Sequence, residues 1–164
     1  MLNVQNEEYK FQVTKEKSMP MMQCCIMPVS LEFILNEALM NMMVVMDALI
    51  ENYRKENPLD PYGEPSPKGY AWVEIHGLKP NSSKEKTLKF IGFKRNPFKA
   101  ENVLEFYPSN YINQVRGQTY LCNSLNVQEE GCKAFIQTLK QYRHFSRRIF
   151  MHAIPQTSTP ENAN

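Results

Sequence analysis

Glycine is scarce in this 164-residue chain, and its six glycines (Gly63, Gly69, Gly77, Gly92, Gly117 and Gly131) are isolated from one another. A glycine-rich phosphate cradle is therefore excluded, and with it nucleotide chemistry of the P-loop kind. No Gly-x-Ser-x-Gly elbow is present either. Local pairs of metal ligands are also missing. The three histidines (His76, His144, His152) and four cysteines (Cys24, Cys25, Cys122, Cys132) form no Cys-x-x-Cys or His-x-x-x-His spacing. Tetrahedral zinc sites nearly always show one such pair, so no metal and no cofactor is expected. Cys122 and Cys132 read as small buried hydrophobes.

The first residues are polar and acidic, which is not the basic-then-apolar order of a secretory signal. Adjacent Cys24 and Cys25 are poorly placed to bond each other. A reduced, cytoplasmic setting is the expectation. The longest apolar stretch, Leu31 to Ile50, has the length of a membrane span but contains Glu32, Glu37 and Asp47. Each acid near a bilayer centre costs roughly 2.5–3.5 kcal/mol, so the chain is expected to be soluble, without membrane contact.

What the sequence has is a set of periodic segments. Tyr9, Phe11 and Val13 alternate with polar residues, a strand signal. Met21 to Met27, between Pro20 and Pro28, reads as an extended apolar arm. Ser30 is a plausible N-cap and Glu32 suits a first turn, so a long helix is predicted from Leu31 to Glu56, limited by Pro58. Its centre is apolar nearly all round, which calls for burial on two sides. Four prolines then stiffen residues 57–68. Tyr70 to Leu78 reads as a strand, with Tyr70, Trp72, Glu74 and His76 on one face and Ala71, Val73 and Ile75 on the other. A turn over residues 79–84 leads to Thr87–Arg95, predicted as the partner strand of a hairpin. Val103–Tyr107 and Gln118–Cys122 are shorter strand candidates. Asn126 with Glu129 resembles a capping box for a helix ending near Tyr142. Arg147–Ile154 is predicted to be the last strand.

These elements predict an α+β fold: an antiparallel sheet with a long central helix and a second, shorter one. The order is a decorated β-α-β-β-α-β pattern, which a ferredoxin-like topology would satisfy. Residues 1–154 form one domain in this reading, and 155–164 a loose tail.

Charge is segregated. Residues 1–64 hold ten acids and five bases, whereas the rest holds fourteen bases and seven acids. Lys79 to Lys99 contains seven bases against Glu85 alone, and Cys132 to Pro155 contains five bases and no acid. Both stretches interleave bases with aromatics, which suits a polyanion, most simply single-stranded nucleic acid. The expected contact residues are Lys89, Phe90, Phe93, Lys94, Arg95, Arg143, Arg147 and Arg148. The bland alternative is a solvated basic surface.

Two other functions compete. Ten methionines, eight of them between Met19 and Met46, suggest an adaptable docking surface for a protein partner or a second copy, centred on Met40, Met43 and Val44. A metal-dependent nuclease would need Glu74 to converge with Asp47 or Glu51 from the long helix. Against it, Glu74 is expected to pair with Lys89 across the hairpin.

Overall fold

The Ser30 hydroxyl accepts from the Phe33 amide at 3.2 Å and starts the first helix, α1, Leu31–Glu56. The computed structural model describes residues 29–100, 102–116, 123–145 and 147–156. The expected strand at 8–14, the apolar arm at 21–27 and the candidate strand at 118–122 lie outside the described residues. Seven further elements follow α1. They are β1 (Gly69–Ile75), α2 (Ser83–Phe90), β2 (Lys94–Arg95), β3 (Leu104–Phe106), α3 (Pro108–Arg116), α4 (Leu125–Gln141) and β4 (Ile149–Pro155).

The described sheet runs β2-β3-β1-β4, and every neighbouring pair is antiparallel. The α+β class therefore holds. Strand β1 lies between β3 and β4 and pairs with β4 along its whole length, from Gly69↔Pro155 to Ile75↔Ile149. The expected period of two in β1 is real, since Ala71, Val73 and Ile75 are all fully buried against α4. Gln128 of α4 pins that contact. Its side chain accepts from the Ala71 amide at 3.2 Å and donates to the Gly69 carbonyl at 3.0 Å.

Helix α4 is the middle layer, with the sheet on one side and α1 on the other. Ser124, not Asn126, caps it, its hydroxyl accepting from the Val127 amide. Cys132, Phe135, Ile136 and Leu139 are buried as their spacing implied, and burial pushes the Cys132 thiol pKa well up. Helix α1 runs antiparallel to α4. Asn41 donates to Thr138 at 3.0 Å, and Tyr142 donates to Glu37 at 2.6 Å. Further along the pair, beyond the Asn41–Thr138 bond, Met42 and Met46 lie close over Gly131, where a Cβ would stand 2.7 Å from Met46. One face of α1 is buried, through Ile34, Leu35, Ala38, Leu39, Met42, Met46 and Ile50. Burial on two sides is not observed among the described residues: Phe33, Met40 and Val44 face outward. By length and composition α1 would qualify as a membrane span, but its buried face is used for this packing.

The hairpin expectation is corrected. Thr87–Arg95 is not a strand paired to β1; it begins as the end of α2, which closes at Phe90, and only Lys94–Arg95 joins the sheet, beside β3. The reason is local. The Ser82 hydroxyl accepts from the Glu85 amide at 3.3 Å, and the Glu85 carboxylate accepts from the Asn81 amide at 2.5 Å. Together the two bonds cap the helix start, the carboxylate reaching the residue before the N-cap. Burial then recurs at Glu85, Leu88 and Ile91, three residues apart, which is helical spacing. Helix α3, unforeseen in the sequence, begins at Pro108, a residue pre-set for a first helical position.

Replacing Ser82 by Ala removes a helix cap, where a strand would lose nothing. The expected cost is about 1 kcal/mol in chemical denaturation.

Candidate nucleic-acid interface

Two features meet at the end of β1. The first is an open cavity of about 420 Å³ lined by His76, Lys79, Lys84, Arg143, Phe145, Arg147 and Arg148, with Gly77, Leu78 and Ser82 completing the wall. Its five cations come from the turn after β1, from α2, from the end of α4 and from the approach to β4. No acid lines it. Among the described residues, none of the five lies within ion-pair distance of a carboxylate.

The wall is held by backbone bonds. The His76 amide donates to the Arg148 carbonyl at 2.8 Å, and the Arg148 guanidinium donates back to the Gly77 carbonyl at 3.1 Å. Gly77 turns the chain out of β1 with φ +67°. The Lys84 ammonium stands 5.9 Å from the Phe145 ring centroid. Arg143 and Phe145 both have left-handed backbones, with φ of 58° and 56°. Arg143 occupies the position after the α4 cap, where the His144 amide reaches the Leu139 carbonyl at 3.0 Å. Glycine is the usual residue there, so an arginine is held against its own preference.

The second feature is the sheet face turned away from α4. The β1–β4 register sets Tyr70 opposite Ile154, Trp72 opposite His152 and Glu74 opposite Phe150. Trp72 stacks on Tyr107 at 5.7 Å and on His152 at 5.3 Å, and His76 meets the Phe150 edge at 5.0 Å. Tyr70, Phe150 and Ile154 are about half exposed. His76 belongs to both features and joins them.

Beneath the rings, Glu74 is only 3% exposed. Trp72 Nε1 donates to it at 2.8 Å, His76 Nε2 lies 2.9 Å and His152 Nε2 3.3 Å from its Oε2, and Lys99 completes the set. Burial pulls its pKa up. The bonds from Lys99, Trp72 and His76 and the charge of His152 outweigh that and hold it at about 2. Lys99 also bonds Glu105 at 2.8 Å, and the two carboxylates push its own pKa up. Tyr107 donates to Glu105 at 3.2 Å; burial and that carboxylate raise the phenol pKa.

Of the expected contact residues, Arg143, Arg147 and Arg148 line the cavity. The hairpin group does not join them. Phe93 is 2% exposed and stacks on Phe106 at 5.0 Å, so it is a core residue and no base can reach it. Lys89 and Arg95 both sit 2.8 Å from the Glu85 carboxylate, whose pKa they lower to about 2 with the Asn81 amide. Lys94 stands at the far edge of the sheet, opposite Glu105. Phe90 is 85% exposed at the end of α2, away from the cavity wall. Glu74 pairs with Lys99 and not with Lys89. Asp47 and Glu51 lie on α1, with α4 between α1 and the sheet, while Glu74 faces away from α4; the three carboxylates do not converge. No group of three or more His, Cys, Asp or Glu side chains among the described residues is placed to hold a metal ion.

Sequence reasoning passed over Lys79, Lys84, His76, Phe145, Tyr70, Trp72, Phe150 and His152 as contact residues. The alternation of β1 and β4 already put most of the rings on one face. The chain matches no protein-family model, no curated protein sequence and no solved structure.

A carboxylate held below its ordinary value of about 4.5 stabilises the fold above that pH and loses its effect as the pH falls towards about 2. Stability should therefore fall across that interval. Glu74→Gln should be less stable at pH 7 and show a shallower decline below pH 4.5, read from denaturant titrations at stepped pH.

Proposed function

We propose that this protein binds single-stranded nucleic acid, seating phosphates in the basic cavity and stacking bases on the open sheet face beside it. The observation that supports this most is the meeting of five unneutralised cations with exposed rings on one surface, joined at His76. Phosphate contacts supply affinity without sequence preference. Rings supply a stacking surface that only unpaired bases can reach. A duplex keeps its bases stacked internally and would leave Tyr70 and Phe150 unused. A cytoplasmic setting belongs to the same proposal.

Fluorescence anisotropy with a labelled oligonucleotide tests it. With about four or five phosphates neutralised, log K should fall against log salt with a slope of roughly −3. Arg147→Glu should weaken binding at least tenfold. Phe150→Ala should cost about 1–3 kcal/mol per stacked base. Arg143→Gly separates binding from folding: it removes a cation but relieves a left-handed backbone, so affinity should drop while stability holds or rises. Affinity indifferent to salt and to these changes would overturn the proposal.

A second reading has its own support. Phe33, Met40 and Val44 form an exposed apolar row along α1, at spacings of seven and four residues. Met43 is half-buried against the core and contributes less. Such a row suits a protein partner or a second copy. Sedimentation across a concentration series should then show association that Val44→Glu abolishes.

A further inference from the structure

We propose that the cavity also cuts the strand it holds, with His76 as the general base that cleaves RNA through the ribose 2′-hydroxyl. This rests on the binding reading for the ligand's position and goes beyond it by assigning a reaction.

The geometry begins with Glu74. It is buried and ionised, and an ionised carboxylate only accepts hydrogen bonds. His76 Nε2, 2.9 Å from Glu74 Oε2, must therefore carry the hydrogen, which leaves the lone pair on Nδ1. The ring is also packed against Phe150, with centroids 5.0 Å apart and planes at 72°, and the backbone beneath it is tied to Arg148. An imidazole oriented by a carboxylate, with one nitrogen left to take a proton, is the arrangement that general base catalysis requires. It lines the same cavity as Arg143, Arg147 and Arg148.

In the reaction, His76 Nδ1 takes the 2′-hydroxyl proton. The 2′ oxygen attacks the adjacent phosphorus, forming an O2′–P bond. The phosphorane gathers negative charge, which the three guanidinium groups stabilise. The P–O5′ bond then breaks, and the departing 5′ oxygen takes a proton from solvent. His76 returns its proton to solvent. The products are a 2′,3′-cyclic phosphate and a 5′-hydroxyl, and no oxidant, metal or second reactant is consumed. His76 touches the substrate in this scheme; Glu74 acts through His76 as a positioning residue.

The test uses the full chain in EDTA with three single strands of one sequence: RNA, DNA and fully 2′-O-methylated RNA. RNA should be cut to fragments bearing cyclic phosphate, identified by mass spectrometry, while the other two are bound and stay intact. His76→Asn should lower the cleavage rate roughly 100- to 10,000-fold, measured at RNA concentrations that saturate the variant so that any loss of affinity is separated from the loss of rate. Glu74→Gln should lower kcat and leave KM unchanged, which a general loss of structure would not do. If Glu74→Gln does not fold, His76→Asn decides alone. RNA bound but never cut, or cutting that survives His76→Asn, overturns the inference and leaves the binding proposal standing. Folded wild-type protein that neither binds nor cuts RNA overturns both.

Discussion

The ladder that β1 forms with a strand on each side is the constraint on which the rest depends. Because successive side chains of a strand point to opposite faces, one register decides both the core and the surface. Ala71, Val73 and Ile75 seal against α4, and this commits Tyr70, Trp72, Glu74 and His76 to the opposite side. A slip of one residue would bury Glu74 among phenylalanines and expose the core. Gln128 guards against that slip, since its amide fits the backbone groups of Gly69 and Ala71 in one register only. Helix α4, fixed in this way, becomes the platform on which α1 lies.

Three buried glutamates show how the basic half of the chain is divided. Glu85 takes up Lys89 and Arg95, and Glu74 with Glu105 takes up Lys99. These cations serve the fold. Those around the cavity have no carboxylate partner among the described residues; Arg148 is anchored on the Gly77 carbonyl and Lys84 stands over the Phe145 ring. Charge segregation in the sequence therefore mixes two populations with different roles. Only the fold sorts them.

Much of the architecture was legible. The period of two in β1 and β4, the cap and length of α1, and the helical spacing in α4 all survive in the structure. The 87–95 segment was misread because its apolar residues suit either period. The deciding information lay upstream, in the Ser82–Glu85 cap. That same error put Phe93 on a surface when the aromatic core with Phe106 and Phe135 claims it. The cavity was only half legible, because Lys79 and Lys84 are brought to Arg143 and Arg147 by tertiary packing that no local pattern encodes. The rings of the sheet face were visible as an alternation, but nothing local distinguished an open face from a covered one.

Glu74 Oε2 is shared by His76 and His152, one at the rim of the cavity and the other under the rings. One oxygen therefore connects two neighbourhoods. A molecule that displaces either imidazole changes what the carboxylate offers to the other. By thermodynamic reciprocity, whatever influence an occupant of the ring face has on the bowl, an occupant of the bowl has to the same degree on the ring face.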